Sequence, residues 1–338
     1  MNKRKVYVFI NKKNKFSAEF IFSATVIICT LPVFNLYAEE DALKNQIQKE
    51  VMDGAGEDSS SDASIYRQKL GKAIVEEEEF YNHDLDTYTR YMPSRPAGAQ
   101  SGKIGIVDSA SEYSYTLKAF GQLPVEFALG AKYIGITNAT AVELPSRLTS
   151  VFIGAETTLP FFSLKDTYFT IGLAPSFHTD NWSIRSSAMS IAQRYFFIHQ
   201  FSDKLTFIAG VSITPHESDP VMPMLGFIYK PTDKLTFNIV PKQPEVTYAL
   251  NEKLTIFGQA DITMDEYKVN KDGLKNTVLE YNEMHAGAGL RYMLNKYIQG
   301  NISVGGVFNR SIKYRQDYHG KVTVKNGMYS EFRVDISM

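Results

Sequence analysis

Glu283 and His285 stand two residues apart in "YNEMHAGAGLRY", and Ser303 follows in the next apolar run. A carboxylate, an imidazole and a hydroxyl are the parts of an acyl-transfer site, in which the ring takes the nucleophile's proton and the acid orients the ring. Such a site would make the chain a hydrolase. The surrounding sequence gives it little support. His178, His199, His216 and His319 are scattered singly, and there is no HExxH pair, GxSxG elbow or phosphate-binding loop. "HAGAGLRY" contains a GxG, but it lies inside an alternating run instead of opening a helix. The run Glu76 to Glu79 places four adjacent carboxylates around a helix, where they face solvent and do not converge on a cation. No catalytic residue, metal site or cofactor is expected from these motifs.

A larger set shares one property. Glu126, Lys132, Asp261, Glu283, His285, Arg291, Arg333 and Asp335 fall on alternate positions of long runs whose intervening residues are apolar. Alternation of period two places successive side chains on opposite faces of a strand. Leu205, Phe207, Ala209, Val211 and Ile213 share one face, as do Leu254, Ile256, Gly258, Ala260, Ile262 and Met264. Met284, Ala286, Ala288, Leu290 and Tyr292 repeat the pattern, and Phe332, Val334, Ile336 and Met338 close the chain with it. If the apolar face meets lipid, the charged set lines a lumen. It would then either set the selectivity of a narrow pore or pair internally and fill the interior.

A soluble sandwich alternates too, with its polar face in water. Length favours a membrane barrel, since the runs reach about 10 residues or more against about 5–6 in ordinary sheets. Aromatic residues at run ends (Phe161, Phe162, Tyr168, Tyr229, Tyr248, Tyr267, Tyr297 and Tyr314) suit girdles at the two interfaces. One phrase recurs: "SDKLTF" from Ser202, "TDKLTF" from Thr232 and "NEKLTI" from Asn251, each a tight polar turn releasing a strand. These short turns alternate with longer polar connections such as "HTDNWSIRSS", as periplasmic turns alternate with outer loops. The runs beyond residue 101 predict about 12 strands, with 10 to 14 as bounds. Pro175, Pro215, Pro223, Pro241 and Pro244 are expected at bulges or strand ends, because proline cannot donate to a ladder.

The beginning of the chain differs in kind. Lys3, Arg4, Lys5, Lys12, Lys13 and Lys15 precede the apolar run Phe20 to Phe34 and then Ala38, the layout of a secretory signal peptide over residues 1–38. An uncleaved anchor would need about 20 apolar residues. The only cysteine, Cys29, lies in this leader, so an exported chain would carry no disulfide framework. Residues 39–100 are acidic and contain "DGAGEDSSSDAS", which offers nothing to bury and reads as a largely disordered periplasmic segment with short helices. A formal net charge of −1 for the whole chain excludes a basic footprint for nucleic acid.

At residues 240–310 the sequence resembles a family of bacterial outer-membrane β-barrel proteins of unknown function. The resemblance rests on "PKQPEVTYALNEKLTIFGQADITMDEY", "LEYNEMHAGAGLRYML" and "SVGGVFNRSIKY". Within these the matching positions are Pro241, Pro244, Tyr248, Asn251, Lys253, Gly258, Asp261, Glu266, Tyr267, Glu280, Tyr281, Gly287, Gly289, Tyr292, Gly306, Phe308 and Arg310. It implies a fold and a location and brings no activity with it. Such barrels usually end in Phe or Tyr, whereas this chain ends in Met338 with Phe332, Val334 and Ile336 keeping the alternation.

The expectation is thus an all-β, antiparallel, up-and-down transmembrane barrel over residues 101–338, in the outer membrane of a Gram-negative-type bacterium. Its partners would be outer-membrane lipid and, during biogenesis, periplasmic chaperones and the barrel-assembly machinery. The role expected is a narrow pore or passive transporter for small polar solutes. A structural barrel with a filled lumen is the alternative, and an outer-membrane hydrolase a more distant one.

Overall fold

The computed structural model describes residues 83–338 apart from short stretches at 99–100, 120–122, 162–163, 183–185, 216–219, 241–242, 271–276 and 316–319. The expected signal peptide, the acidic segment up to residue 82 with its Glu76 to Glu79 run, and His216, His319, Phe162 and Pro241 lie outside the described residues.

The described chain is a single antiparallel sheet. Its strands are β1 (His83–Pro96), β2 (Lys103–Ala119), β3 (Leu123–Asn138), β4 (Arg147–Pro160), β5 (Thr167–Thr179), β6 (Met189–Ser202), β7 (Leu205–Ile213) and β8 (Val221–Thr232). They continue as β9 (Leu235–Ile239), β10 (Glu245–Ala249), β11 (Leu254–Val269), β12 (Thr277–Met293), β13 (Ile298–Tyr314), β14 (Lys321–Thr323) and β15 (Gly327–Ser337). Each strand from β1 to β13 pairs with the next, β13 pairs with β15, and β15 returns to β1 to close the ring. The short β14 extends the β15 stave along the end of β13, so the wall has 14 staves. Closure leaves the ring itself no terminal edge strand, the condition for crossing lipid with a sheet.

Two expectations are corrected here. The barrel begins at His83, not at residue 101, and it has 14 staves where about 12 were expected. Both corrections come largely from β1. Its sequence, "HDLDTYTRYMPSRP", carries four charged residues and follows an acidic stretch, which masks its alternation. Leu85, Thr87, Thr89 and Tyr91 nonetheless point one way while Asp86, Tyr88, Arg90 and Met92 point the other.

The start of β1 and the end of β15 meet at one end of the barrel, where the His83 amide donates to the Met338 carbonyl (2.9 Å) and the Met338 amide returns the bond (2.8 Å). The tight turns lie at this same end. All three repeated phrases are here, opening β7, β9 and β11. Each turn is capped by its own polar side chain. Asn251 Oδ1 accepts from the Lys253 and Leu254 amides (2.9 Å each), Thr232 Oγ1 from the Leu235 amide (3.1 Å) and Ser202 Oγ from the Lys204 amide (3.3 Å). The longer connections lie at the other end, the arrangement that outer-membrane barrels use with short turns on the periplasmic side.

The outer wall is apolar. Leu129, Ile153, Leu225, Leu290, Ile302, Val304 and Phe332 are all exposed on it. Near the short turns Phe161, Tyr229, Tyr248 and Tyr297 form an exposed aromatic rim. Tyr267 and Tyr314 depart from the expected girdle. They are buried on the inward face, in an apolar cluster with Tyr281, Ile104, Ile134 and Leu148 at the long-loop end of the barrel. A second apolar cluster, built on Phe196, Ile198, Ile208, Met224 and Ile228, lies inside β6 to β8, and Tyr168, also expected at the girdle, packs against it from the inward face of β5.

The prolines behave variously. Pro215 and Pro244 lie just outside strands, and Pro175 lies where the β4–β5 ladder is interrupted between Ser176 and Leu173. Pro223 is in the middle of β8.

Candidate functional site: the charged layer across the lumen

Beneath the apolar cluster, towards the short turns, the inward face turns ionic. Arg90 is its centre and is almost wholly buried. Its guanidinium lies 2.7 Å from Glu331 Oε2 on the adjacent β15 and 3.9 Å from Asp108 Oδ2 on β2. It also reaches Asp261 Oδ2 at 3.3 Å and His285 Nδ1 at 3.0 Å, on β11 and β12. Staves β15, β13 and β12 separate β1 from β11 in the wall, so the Asp261 contact crosses the interior. Tyr88 and Tyr329 hold the guanidinium between their rings, each centroid about 5.5 Å away or less, and the Tyr88 hydroxyl donates to Asp108 at 3.2 Å. An arginine offers five donors in a planar fork, and this one is surrounded by acceptors from four staves.

A second contact crosses the lumen beside it, from Lys132 Nζ on β3 to Asp265 Oδ2 on β11 at 3.0 Å. Around these two lie further pairs. Arg291 Nη2 meets Glu245 Oε2 at 2.7 Å, and Arg333 lies 3.8 Å from both Asp86 and Glu331. Asp335 accepts from Gln299 (2.9 Å) and Asn301 (2.7 Å). Of the residues singled out in the sequence, Lys132, Asp261, Glu283, His285, Arg291, Arg333 and Asp335 are all in this layer. Glu126 is on the same inward face of β3 but further down, opposite Glu156 of β4 and Thr116 of β2.

Glu283 is held from two sides. His285 Nε2 faces its Oε1 at 3.2 Å, and Arg310 Nε donates to its Oε2 at 2.9 Å. Arg310 was not among the expected lumen residues, because a strict alternation from Phe308 puts it on the lipid side. A bulge reverses the phase. Met284 pairs with Phe308 and Asn282 with Ser311, so Asn309 and Arg310 together oppose Glu283. Asn309 takes a left-handed backbone (φ 51°), a conformation that Asn tolerates better than most residues, and the strand resumes with Arg310 turned inward.

The same geometry bears on acyl transfer. An arginine can only donate, so His285 Nδ1 accepts from Arg90 and the lone pair that a general base would use is already engaged. Ser303 pairs with Gly289, four residues along β12 from His285, which is about 13 Å of strand. Register therefore separates the two residues that a Ser–His site would need together. Among the described residues no group of three or more His, Cys, Asp or Glu is placed to hold a metal ion.

Two glycines make room for the layer. A Cβ on Gly287 would lie 2.4 Å from the Tyr329 hydroxyl and 2.5 Å from the Val304 carbonyl, and one on Gly305 would meet the Ala286 carbonyl at 2.2 Å. Tyr329 thus lies flat against bare backbone and presents its ring edge-on to His285, with centroids 5.3 Å apart.

A closed antiparallel wall with an apolar exterior, an aromatic rim and an ionic interior defines a transmembrane β-barrel of the outer-membrane type. The chain belongs to the family described as Domain of unknown function (DUF6268), which matches residues 126–333. Among solved structures it is similar to the COG4313 outer membrane channel from Pseudomonas putida F1, at 9% identity and TM-score 0.43 over 82% of this chain and 100% of that one. It is also similar to the KdgM porin in complex with disordered oligogalacturonate (9% identity, TM-score 0.33, 75% and 99% covered). LpxR from Salmonella typhimurium is a third (8% identity, TM-score 0.37, 75% and 100% covered). Among curated proteins nothing matches the chain.

Proposed function

We propose that this protein is a narrow outer-membrane pore, a passive route for small polar solutes whose constriction is the charged layer around Arg90. One observation carries the reading. Although Arg90 is buried, Asp261, which it meets across the lumen, and the neighbouring Lys132–Asp265 pair are partly open to solvent: the side chains of Asp261, Lys132 and Asp265 are 23%, 21% and 29% exposed. These residues face inward, so the water that reaches them is inside the barrel. Charges of both signs at such a layer favour hydrated solutes and oppose apolar ones.

Liposome swelling tests this. Reconstituted protein is expected to admit small polar solutes with a sharp size limit, and Lys132→Ala is expected to relax that limit by removing one cross-lumen contact. Vesicles that do not swell with any solute, although the inserted barrel is intact, would overturn it.

A second reading keeps the barrel but removes transport. It is favoured by the fully buried Tyr267, Tyr281 and Tyr314, which occupy the long-loop end of the lumen. On that reading the ionic layer is internal packing, as in small barrels whose interiors are filled by side chains.

A further inference from the structure

The fourteen staves are not of equal height. β9 and β10 have five residues each and span only the short-turn half of the wall, whereas β8 and β11, which flank them, have 12 and 16. The β8–β9 ladder starts at Phe227 and Ile239, and the β10–β11 ladder ends at Glu245 and Gln259, with one more bond from the Ala260 amide to the Pro244 carbonyl. Above that level, among the described residues, Val221 to Gly226 pair only with β7. Asp261 to Tyr267 pair only with β12. At its tip β11 turns away across the barrel, where Lys268 pairs with Thr179 of β5 and the Asn270 amide donates to Asp180 Oδ2 (3.1 Å). The wall therefore has a notch between β8 and β11, about six residues or about 20 Å tall.

The notch is at hydrocarbon depth. Its β8 edge carries Val221 and Leu225 on the outer face, Leu225 being 70% exposed and the most exposed large apolar side chain described. Its β11 edge carries Ile262 and Met264, also exposed. Its backbone is adapted to having no neighbour. Lys230 and Thr214 amides bond to Lys204 and Pro220 (2.8 Å each), which assigns the even-numbered residues of β8 to β7 and turns the odd-numbered ones towards the notch. The residue in the middle of that edge is Pro223, which has no amide to leave unpaired. Across the notch the even-numbered residues of β11 face outwards from the ladder, so Ile262 and Met264 present amides and carbonyls to it. An open sheet edge persists at membrane depth only where it is buried in protein or lines a water-filled cavity. Asp261 and Asp265, the solvent-reached ends of the charged layer, are on this edge.

We infer that the notch is a side portal through which the alkyl chain of an amphiphile passes between the bilayer and the lumen. The apolar lip (Val221, Leu225, Ile262, Met264) takes the chain. Met222 and Met224, unbranched and adaptable, line the inner side. The polar head of the molecule meets the Lys132–Asp265 layer. This goes beyond solute conduction and does not rest on it.

Tryptophan quenching in bilayers tests the portal with the full chain. In a Trp182→Phe background, which removes the only native tryptophan, Met224→Trp places the reporter on the inner side of the notch and Thr116→Trp places one on the inward face of the fully paired β2, away from the charged layer. Thr263→Trp reports from the opposite edge should Met224→Trp not fold, as judged by heat-modifiable migration. Brominated-chain phosphatidylcholine and, separately, brominated stearate in ordinary bilayers are the quenchers. Emission at the notch is expected to fall by about half while Thr116→Trp is unaffected, because elsewhere every backbone group is paired into the closed wall. Quenching by the phospholipid identifies a bilayer lipid as the source, and quenching by stearate alone a free single-chain amphiphile. No quenching at the notch by either, or equal quenching at both positions, would overturn the inference.

Discussion

Arg90 on β1 lies 3.3 Å from Asp261 on β11, across a lumen whose wall places three staves between them. That contact ties together parts of the chain 171 positions apart. With Lys132 and Asp265 it makes the interior a two-spanned ionic layer instead of an open bore. The stability and the conductance of the barrel should both answer to it.

Removing the centre should be costly. Arg90→Ala takes the nearest cation from buried Glu331, which keeps only Arg333 at 3.8 Å, and from buried Asp108, and stranding one partner of a buried pair costs about 3–5 kcal/mol. Arg90→Lys restores the charge but not the fork, so it should recover only part of the loss. The urea midpoint for loss of the fast-migrating, unheated form on SDS gels measures both.

The glycine positions divide sharply. Gly287→Ala forces a methyl into the Val304 carbonyl and Tyr329, with backbone on one side unable to yield. Gly300→Ala meets nothing within 4 Å. Folded yield in a refolding assay should collapse for the first and match the unsubstituted protein for the second.

Asn309 should accept glycine and refuse branched residues. Asn309→Gly keeps the left-handed φ of 51° without cost, whereas Asn309→Val pays about 1–3 kcal/mol of backbone strain. Because the bulge aims Arg310 at Glu283, the valine variant should also lose that pair, which a double-mutant cycle with Glu283→Gln would read as reduced coupling.

On the lipid side the size of the effect is set by depth. Ile302→Arg puts a cation on an exposed outward position of β13, at a cost of about 2–4 kcal/mol near the bilayer midplane. The same substitution at Tyr297, on the rim beside the short turn, should cost little. Unfolding midpoints in bilayers of fixed thickness compare the two.

The parts of this architecture that follow from period two were legible in the sequence. The outward faces of β7, β11 and β12 and the inward places of Asp261, Glu283, Arg291 and Arg333 come from alternation alone. What alternation hides is whatever breaks or disguises it. β1 was assigned to the acidic segment because its strand pattern is written in Asp, Thr and Tyr, and with it went Arg90, the centre of the layer. Arg310 was missed because one bulge inverts the phase of β13. Tyr267 and Tyr314 were read as girdle residues, but the inward face becomes apolar towards the long-loop end, and a tyrosine near a strand end carries no mark of which face it takes. The five-residue β9 and β10 are too short to show that they leave their neighbours uncovered, a fact that only the register reveals.

Planar-bilayer conductance tests the central claim most directly. The protein is predicted to give discrete, small-conductance openings, and Lys132→Ala, which opens one of the two cross-lumen spans while leaving the Arg90 cluster in place, to give larger ones. Bilayers that stay silent with both proteins, when each is inserted and heat-modifiable, would contradict the pore and leave a barrel whose interior is closed.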